Sequence, residues 1–188
     1  AKWQGKFEQL DQVLPTPNEY RSGSGSPGPK YWQQKADYVI TAELNDSNQS
    51  ITGSETITYH NNSPDVLRYL WLQLDQNNQA KGNNTQKITT NRIKDSTAAK
   101  TIAGDLNLYD FDGGFKIQSV TDVSGKALVY TINYTVMRVD LPQSLNPGQK
   151  ISFSVVWSYN INDGLMSRER TQFEYFPEDG NYSYVIAK

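Results

Sequence analysis

The sequence predicts an all-β fold, because three features of the chain agree. Several segments alternate apolar and polar residues with a period of two, which is typical of strands with one dry face. Clusters rich in Asn, Asp, Ser, Gly and Pro separate these segments, as expected for turns between antiparallel strands. No segment has the 3.6-residue period of an amphipathic helix. The simplest architecture is an antiparallel sandwich with long polar loops.

The first part of the chain carries no strand pattern. Residues 11–30 contain four prolines and no periodic apolar residues, which predicts an extended arm rather than a regular element. We therefore divide the chain into an N-terminal arm over residues 1–35 and a β-domain over residues 36–188.

Three strands are predicted next, over residues 38–44, 51–59 and 66–74. The turn composition of residues 46–48 joins the first two as a hairpin. The third segment is apolar on both faces, with Tyr69 and Trp71 opposite Leu70 and Leu72, and this pattern predicts a central strand.

Residues 76–105 are polar and predict a long excursion with little regular structure. After Gly113 and Gly114 the period of two returns, predicting strands over residues 115–123, 128–132, 137–141 and 151–159, with turns at 124–126 and 146–148. The apolar phase of these strands predicts a buried core that includes Ile57, Tyr69, Trp71, Phe153, Val155 and Trp157.

Composition limits the possible partners. The net charge is -2, and no basic block provides the positive surface that nucleic acids and anionic membranes require. No apolar run approaches the roughly 18 residues of a membrane span. Cysteine is absent, which is compatible with an extracytoplasmic protein, so an extracytoplasmic location, periplasmic or secreted, is slightly favoured over a cytoplasmic one.

No group of residues forms a convincing catalytic or metal site. His60 is the chain's one histidine and is interpreted as a surface or hydrogen-bonded side chain. Asp105, Asp110 and Asp112 lack the spacing of a calcium loop and predict a turn capped by carboxylates. Glu174, Glu178 and Asp179 are likewise interpreted as structural. We therefore predict no catalytic residue, metal or other cofactor in this chain.

Residues 31–74 also resemble the opening β-domain of the aminopeptidase N-like zinc metallopeptidases, the gluzincins, and particularly their bacterial members. The segments that carry the resemblance are YWQQ (31–34), ITGSETITY (51–59), NNSP (61–64) and YLWL (69–72), joined by FEYFPEDGNYSYVIAK at 173–188. In that family an HExxH helix and a downstream Glu hold zinc, and the N-terminal domain is a saddle-like curved sheet. The resemblance implies that this chain is a domain truncated at its C-terminal end, with zinc and catalysis in a domain outside it.

The resemblance also implies a role. Such a domain packs on the catalytic domain of the same polypeptide and walls the cleft that binds the peptide substrate, and Tyr182 and Tyr184 are the residues it places at that cleft. The alternative is a free-standing β-sandwich that binds carbohydrate or a cell-surface partner through its four Trp and twelve Tyr residues.

Overall fold

The computed structural model describes residues 17–83, 96–99, 101–102, 110–164 and 171–186. The predicted all-β fold with antiparallel sheets is confirmed. The elements in these residues are β1 (Lys35–Asn45), β2 (Ser50–His60), β3 (Leu67–Gln73), a 3-10 helix (Asp75–Gln79), β4 (Lys116–Asp122), β5 (Tyr130–Asn133), β6 (Val136–Leu145), β7 (Lys150–Asn160), β8 (Asn162–Asp163), β9 (Thr171–Phe176) and β10 (Asn181–Ile186).

The largest sheet has four antiparallel strands in the order β1-β2-β7-β4. The predicted hairpin joins β1 to β2, and Gln49 closes its turn with φ 49°. The outer face of β2 and β7 is rich in Thr and Ser: Thr56 and Thr58 of β2 share hydroxyl hydrogen bonds of 3.0 and 2.8 Å with Ser154 and Ser152 of β7. The inner face carries the apolar phase of both strands.

A smaller sheet of order β3-β6-β5 covers one part of that inner face. The two sheets enclose the main core, and its apolar members alternate along each strand as the period of two requires. The buried residues of this core are Ile57, Leu70, Leu74, Val120, Leu128, Met137, Val139, Phe153 and Val155. The architecture is therefore a sandwich over this region, and burial is as predicted at Ile57, Phe153 and Val155.

The prediction that β3 is central and buries Tyr69 and Trp71 is wrong. β3 is an edge strand, and the exposed fractions of Tyr69 and Trp71 are 42% and 59%. A register shift lies between Leu67 and Tyr69 in the pairing with β6. The opposite phase of the strand, represented by Leu70, enters the core. Because both phases of this segment are apolar, its period could not identify the buried one.

A third sheet, of order β10-β9-β8, packs near the far end of β7. Its β8 and β9 pair in parallel, in contrast to the other strand pairs of the described chain. Ile51, Tyr159 and Ile161 form a second buried cluster, against which Phe173 and Tyr184 pack. This contact joins the small sheet to the four-stranded one.

Trp157 lies between the two cores and is half-buried, not fully enclosed. Its indole covers Gly53, the cross-strand partner on β2, so closely that a Cβ built on Gly53 would come within 2.5 Å of the ring. The ring also stacks on Tyr159 at 5.8 Å and meets the edge of Phe115 at 5.5 Å. A glycine is therefore required at position 53 by the close approach of this ring.

A buried polar centre fixes the loop between β2 and β3. The side chain of Asn61 is fully buried, and its Nδ2 donates to the carbonyl oxygens of Asp65 and Leu145 at 2.8 and 3.0 Å. Its Oδ1 accepts from Ser63 Oγ at 2.6 Å and from Gln34 Nε2 at 3.1 Å. Two segments of the sequence resemblance, YWQQ and NNSP, therefore meet in space at this residue.

The N-terminal segment differs from an extended arm where it is described. Residues 18–31 form a compact loop in which Arg21 and Pro27 make an antiparallel bridge. Residues 1–16 of the predicted arm, and most of the predicted excursion over 76–105, lie outside the described residues. The start of that excursion contains the 3-10 helix, with Gln76 and Asn77 buried. No helix in the described part of the chain is long and apolar enough to cross a membrane.

Candidate functional site

The two small sheets leave part of the inner face of the four-stranded sheet uncovered. The resulting groove has a volume of about 680 Å³. Residues of the two buried clusters form its floor, and residues of three different strands form its rim. The rim residues are Tyr38 and Ile40 of β1, Trp71 of β3 and Ile186 of β10. The groove therefore forms only when all three sheets are assembled.

The rim side chains are apolar and face solvent. Tyr38, Ile40 and Trp71 are each more than half exposed, and Ile186 is nearly so. Each belongs to an edge strand, β1, β3 or β10, whose second edge has no strand paired to it in the described residues. Exposed edges with large apolar side chains are typical of surfaces that another protein segment covers.

Glu55 of β2 is the one charged residue among the described residues that line the groove. It is half-buried on the inner face, with Ile40 of β1 and Val155 of β7 as its cross-strand partners. Sequence reasoning did not single it out. The signal was present, because Glu55 occupies the apolar phase of a strand whose other phase is Thr and Ser.

The β9–β10 hairpin carries both residues predicted at the cleft. Tyr182 lies opposite Tyr175, and Tyr184 lies opposite Phe173, so the four rings occupy one face of the hairpin. The ring centroids of Tyr175 and Tyr182 are 4.9 Å apart, and that of Phe173 is 5.9 Å from Tyr182. Tyr182, which is 38% exposed, presents its ring to solvent, whereas Tyr184 packs inward against the second cluster.

Tyr184 also ties the hairpin to the turn between β1 and β2. Its hydroxyl donates a hydrogen bond of 2.5 Å to Oδ1 of Asp46. Burial of the phenol and the negative charge of Asp46 both disfavour the phenolate, and together they raise the pKa of Tyr184 to about 12. The hydroxyl of Tyr184 therefore has a structural role, and of the two predicted cleft residues only Tyr182 has an exposed ring that is not held by this contact.

Among the residues that the structure describes, the surroundings of His60 do not provide a zinc site. The sequence has one histidine and no cysteine. His60 Nε2 lies 3.0 Å from Asp37 Oδ2, and Lys35 Nζ lies 2.8 Å from the same oxygen. Hydrogen bonding from Lys35 contributes most to lowering the pKa of Asp37, and His60 adds to it. The ion pair with Lys35 occupies the carboxylate that a metal would need.

The acidic residues near Gly113 pair with lysines. Asp110 Oδ1 lies 2.6 Å from Lys81 Nζ, which lowers the pKa of that carboxyl. Asp112 pairs with Lys116 and accepts a hydrogen bond of 3.1 Å from the backbone N–H of Lys81. Asp105 lies outside the described residues. Within the described ranges, no group of three or more His, Cys, Asp or Glu side chains is arranged to hold a metal ion.

Comparison with known proteins gives a distant structural similarity. No protein-family model matches the sequence, and no curated protein matches it. Among solved structures, the chain is similar to part of an M1 zinc metallopeptidase from Deinococcus radiodurans, with 13% sequence identity and a TM-score of 0.43. The match covers 78% of this chain and 25% of that one, so the chain spans about a quarter of the length of the structure it matches.

Proposed function

We propose that this chain is a non-catalytic N-terminal β-domain of a zinc aminopeptidase-like protein. It packs its apolar groove against the catalytic domain of the same polypeptide and so forms one wall of the peptide-binding cleft. The observation that carries the proposal is the exposed apolar rim of the groove, contributed by Tyr38, Ile40, Trp71 and Ile186. The sequence resemblance of residues 31–74 supports the choice of partner.

The rim can contribute to docking between domains. Fully burying one exposed large apolar side chain contributes about 1.5–3 kcal/mol; the four rim side chains are about half exposed, so burying the remainder contributes about 3–6 kcal/mol in total. Interfaces between domains of one chain bury about 600–1,500 Å² in total. Tyr175 and Tyr182 are exposed and share a face of the hairpin with Ile186, so they add apolar surface along β9 and β10.

The proposal assigns separate roles to the two domains. Zinc and the residues that hold it belong to the catalytic domain, because the donor set of this chain does not fit the metal. The hairpin of β9 and β10 lies beside the cleft. Tyr182 faces the peptide there, and Tyr184 holds the hairpin in place through Asp46.

The test compares this chain with a longer polypeptide encoded by the same gene. Amide hydrogen exchange of β10 (Asn181–Ile186) is expected to be slower in the longer polypeptide, because the docked domain covers this edge strand. Trp71→Ser and Ile186→Ser should reverse the protection and reduce aminopeptidase activity. Val123→Ser is the matched control, since Val123 is 81% exposed and does not line the groove.

Two results would overturn the proposal. One is a gene that encodes no HExxH and downstream Glu beyond residue 188. The other is equal protection of β10 with and without the second domain.

A free-standing binding module is the second candidate function. The exposed ring pair of Tyr175 and Tyr182 favours it, because paired rings on a sheet face can stack on a flat ligand. This function predicts that Tyr182→Ala weakens ligand binding by the isolated chain, and that Trp71→Ser does not. The docking function predicts that Trp71→Ser is the more harmful change in the longer polypeptide.

A further inference from the structure

The N-terminal loop over residues 18–31 is ordered by a dense set of internal bonds. Its Ser-Gly repeat closes on itself, with the N–H of Ser22 bonded to the carbonyl of Ser26 and that of Gly25 bonded to the carbonyl of Ser22, both at 2.9 Å. The hydroxyls of Ser22, Ser24 and Ser26 form a chain with spacings of 2.9 and 3.1 Å. Compact surface loops of this kind frequently carry function.

The loop and the β2–β3 connection form a bowl with a volume of about 690 Å³. Its wall contains three aromatic rings, from Tyr20, Tyr31 and Trp32, together with the charged residues Arg21 and Asp65. The volume is within the range of sites that hold small ligands. The bowl is separate from the apolar groove, since the residues lining the two cavities do not overlap.

Arg21 is held in position before any ligand arrives. Its guanidinium carbon lies 4.9 Å from the centroid of the Tyr31 ring, and its NH1 donates to the carbonyl of Gly25 at 2.8 Å. The other guanidinium N–H groups have no acceptor within the part of the chain that is described. Tyr31 is itself fixed, because its hydroxyl accepts a 2.7 Å hydrogen bond from Gln33. Tyr31 is thus a positioning residue for the cation.

The lining of the bowl also supplies an acceptor and exposed rings. The backbone of Asp65 is anchored to Asn61 and Ser63, whereas its carboxylate makes no hydrogen bond or ion pair with another described residue. The Tyr20 and Trp32 rings are each 37% exposed, so their surfaces are accessible to a ligand. The bowl therefore combines one cation, one anion and apolar ring surface.

We infer that this bowl binds a neutral saccharide of one or two pyranose rings. Sugar hydroxyls both donate and accept, so different hydroxyls of one ligand can accept from Arg21 and donate to Asp65, and charge-assisted bonds of this kind are the stronger ones. The C–H face of a pyranose is apolar and fits the exposed ring of Trp32 or Tyr20. The opposite charges of Arg21 and Asp65 offset each other, so the lining of the bowl has no net charge that would favour an anion or a cation.

The site does not depend on the proposed function. It lies on the loop and on the β2–β3 connection, and the isolated chain contains all of it. Failure of saccharide binding would leave the docking proposal unaffected, and failure of docking would leave this site intact.

The test is a nuclear magnetic resonance titration of the chain with maltose, cellobiose and chitobiose. The indole N–H signal of Trp32 is expected to shift saturably with at least one of them, while that of Trp71 does not move. Asp65→Asn and Arg21→Ala should each weaken binding about tenfold, which corresponds to about 1.4 kcal/mol. Both residues are exposed, so both variants should retain the dispersed spectrum of the folded chain.

Tyr69→Ala is the matched control, because it removes an exposed aromatic side chain that lines neither the bowl nor the groove and should leave the affinity unchanged. Three outcomes would overturn the inference. They are no saturable shift at Trp32 with any of the three sugars, unchanged affinity in both bowl variants, and equal loss of affinity in Tyr69→Ala.

Discussion

Replacing Gly53 by alanine tests the contact that sets the spacing between β2 and the Trp157 ring. The added Cβ would lie 2.5, 2.7 and 2.8 Å from three atoms of that ring, whereas carbon atoms in normal contact are about 3.5–4.0 Å apart. The Trp157 ring must therefore move away from residue 53 by about 1 Å. Tyr159 stacks on it and Phe115 meets it at an edge, so its retreat displaces both neighbours.

Two opposing effects determine the size of the change. Forcing extra volume into a packed site costs about 1–3 kcal/mol. Alanine is otherwise better than glycine within a strand by about 0.5–1 kcal/mol, because the unfolded chain loses less entropy. Gly53→Ala should therefore lower the free energy of unfolding by a net amount between about 0 and about 2.5 kcal/mol.

A double-mutant cycle separates the two effects. Trp157→Ala alone should cost about 3 kcal/mol, somewhat less than removal of a fully enclosed tryptophan, because the ring is half-buried. In that background the overlap no longer exists, so Gly53→Ala should become neutral or stabilising. Urea unfolding followed by circular dichroism measures all four proteins, with the slope of each transition checked for constancy.

The reasoning is refuted if Gly53→Ala stabilises the otherwise unchanged protein. It is also refuted if the substitution costs the same whether or not Trp157 is present. Either result would mean that the ring does not lie over Gly53 at the distance observed.

Three further predictions follow from the burial and charge of named side chains. Tyr184→Phe keeps the ring but removes the bond to Asp46, and should weaken the packing of the hairpin by about 1 kcal/mol, detected as faster hydrogen exchange in β9 and β10. The pKa of Tyr184 is raised from 10.0 to about 12 in the folded state. The contribution of its hydroxyl to the free energy of unfolding is therefore present below pH 10 and is lost as the pH rises through 12. Identical alkaline unfolding of the wild-type protein and the Tyr184→Phe variant would contradict this expectation. Phe153→Ala should cost about 3–5 kcal/mol in chemical denaturation and Trp71→Ala less than about 1 kcal/mol, and similar values for the two would show that the faces of the sandwich are misassigned. Metal analysis of the dialysed chain should find no stoichiometric zinc, because one histidine without cysteine cannot supply the usual ligand set; one tightly held zinc ion per chain would contradict the separation of roles between the two domains.

The strands and turns could be predicted from the sequence because both are local properties. The period of two along β2 and β7 depends only on which residues alternate, and the turns at 124–126 and 146–148 contain Gly125 and Gly148, both with positive φ. The polar outer face and apolar inner face of β7 follow from the same alternation. Ile57, Phe153 and Val155 are buried for this reason.

The site was less accessible to sequence reasoning. The apolar character of the hairpin residues Tyr182 and Tyr184 was evident, but their different environments depend on Asp46, which is 138 residues from Tyr184. The groove draws its rim from β1, β3 and β10, and no local pattern indicates that these strands share one cavity. The only sequence signal that places Glu55 on the inner face is that it lies in the same alternating phase of β2 as the residues that enter the core.

The fold class and the positions of most strands could be predicted from the sequence, because both depend on composition or on neighbours along the chain. The edge position of β3 with Trp71 exposed, the need of Trp157 for a glycine at position 53, and the folding of residues 18–31 into a loop beside Asp65 became evident only in the folded structure. These features arise from pairing and packing between distant segments. A strand with two apolar faces can bury either one, and the choice is made by the sheet that covers it.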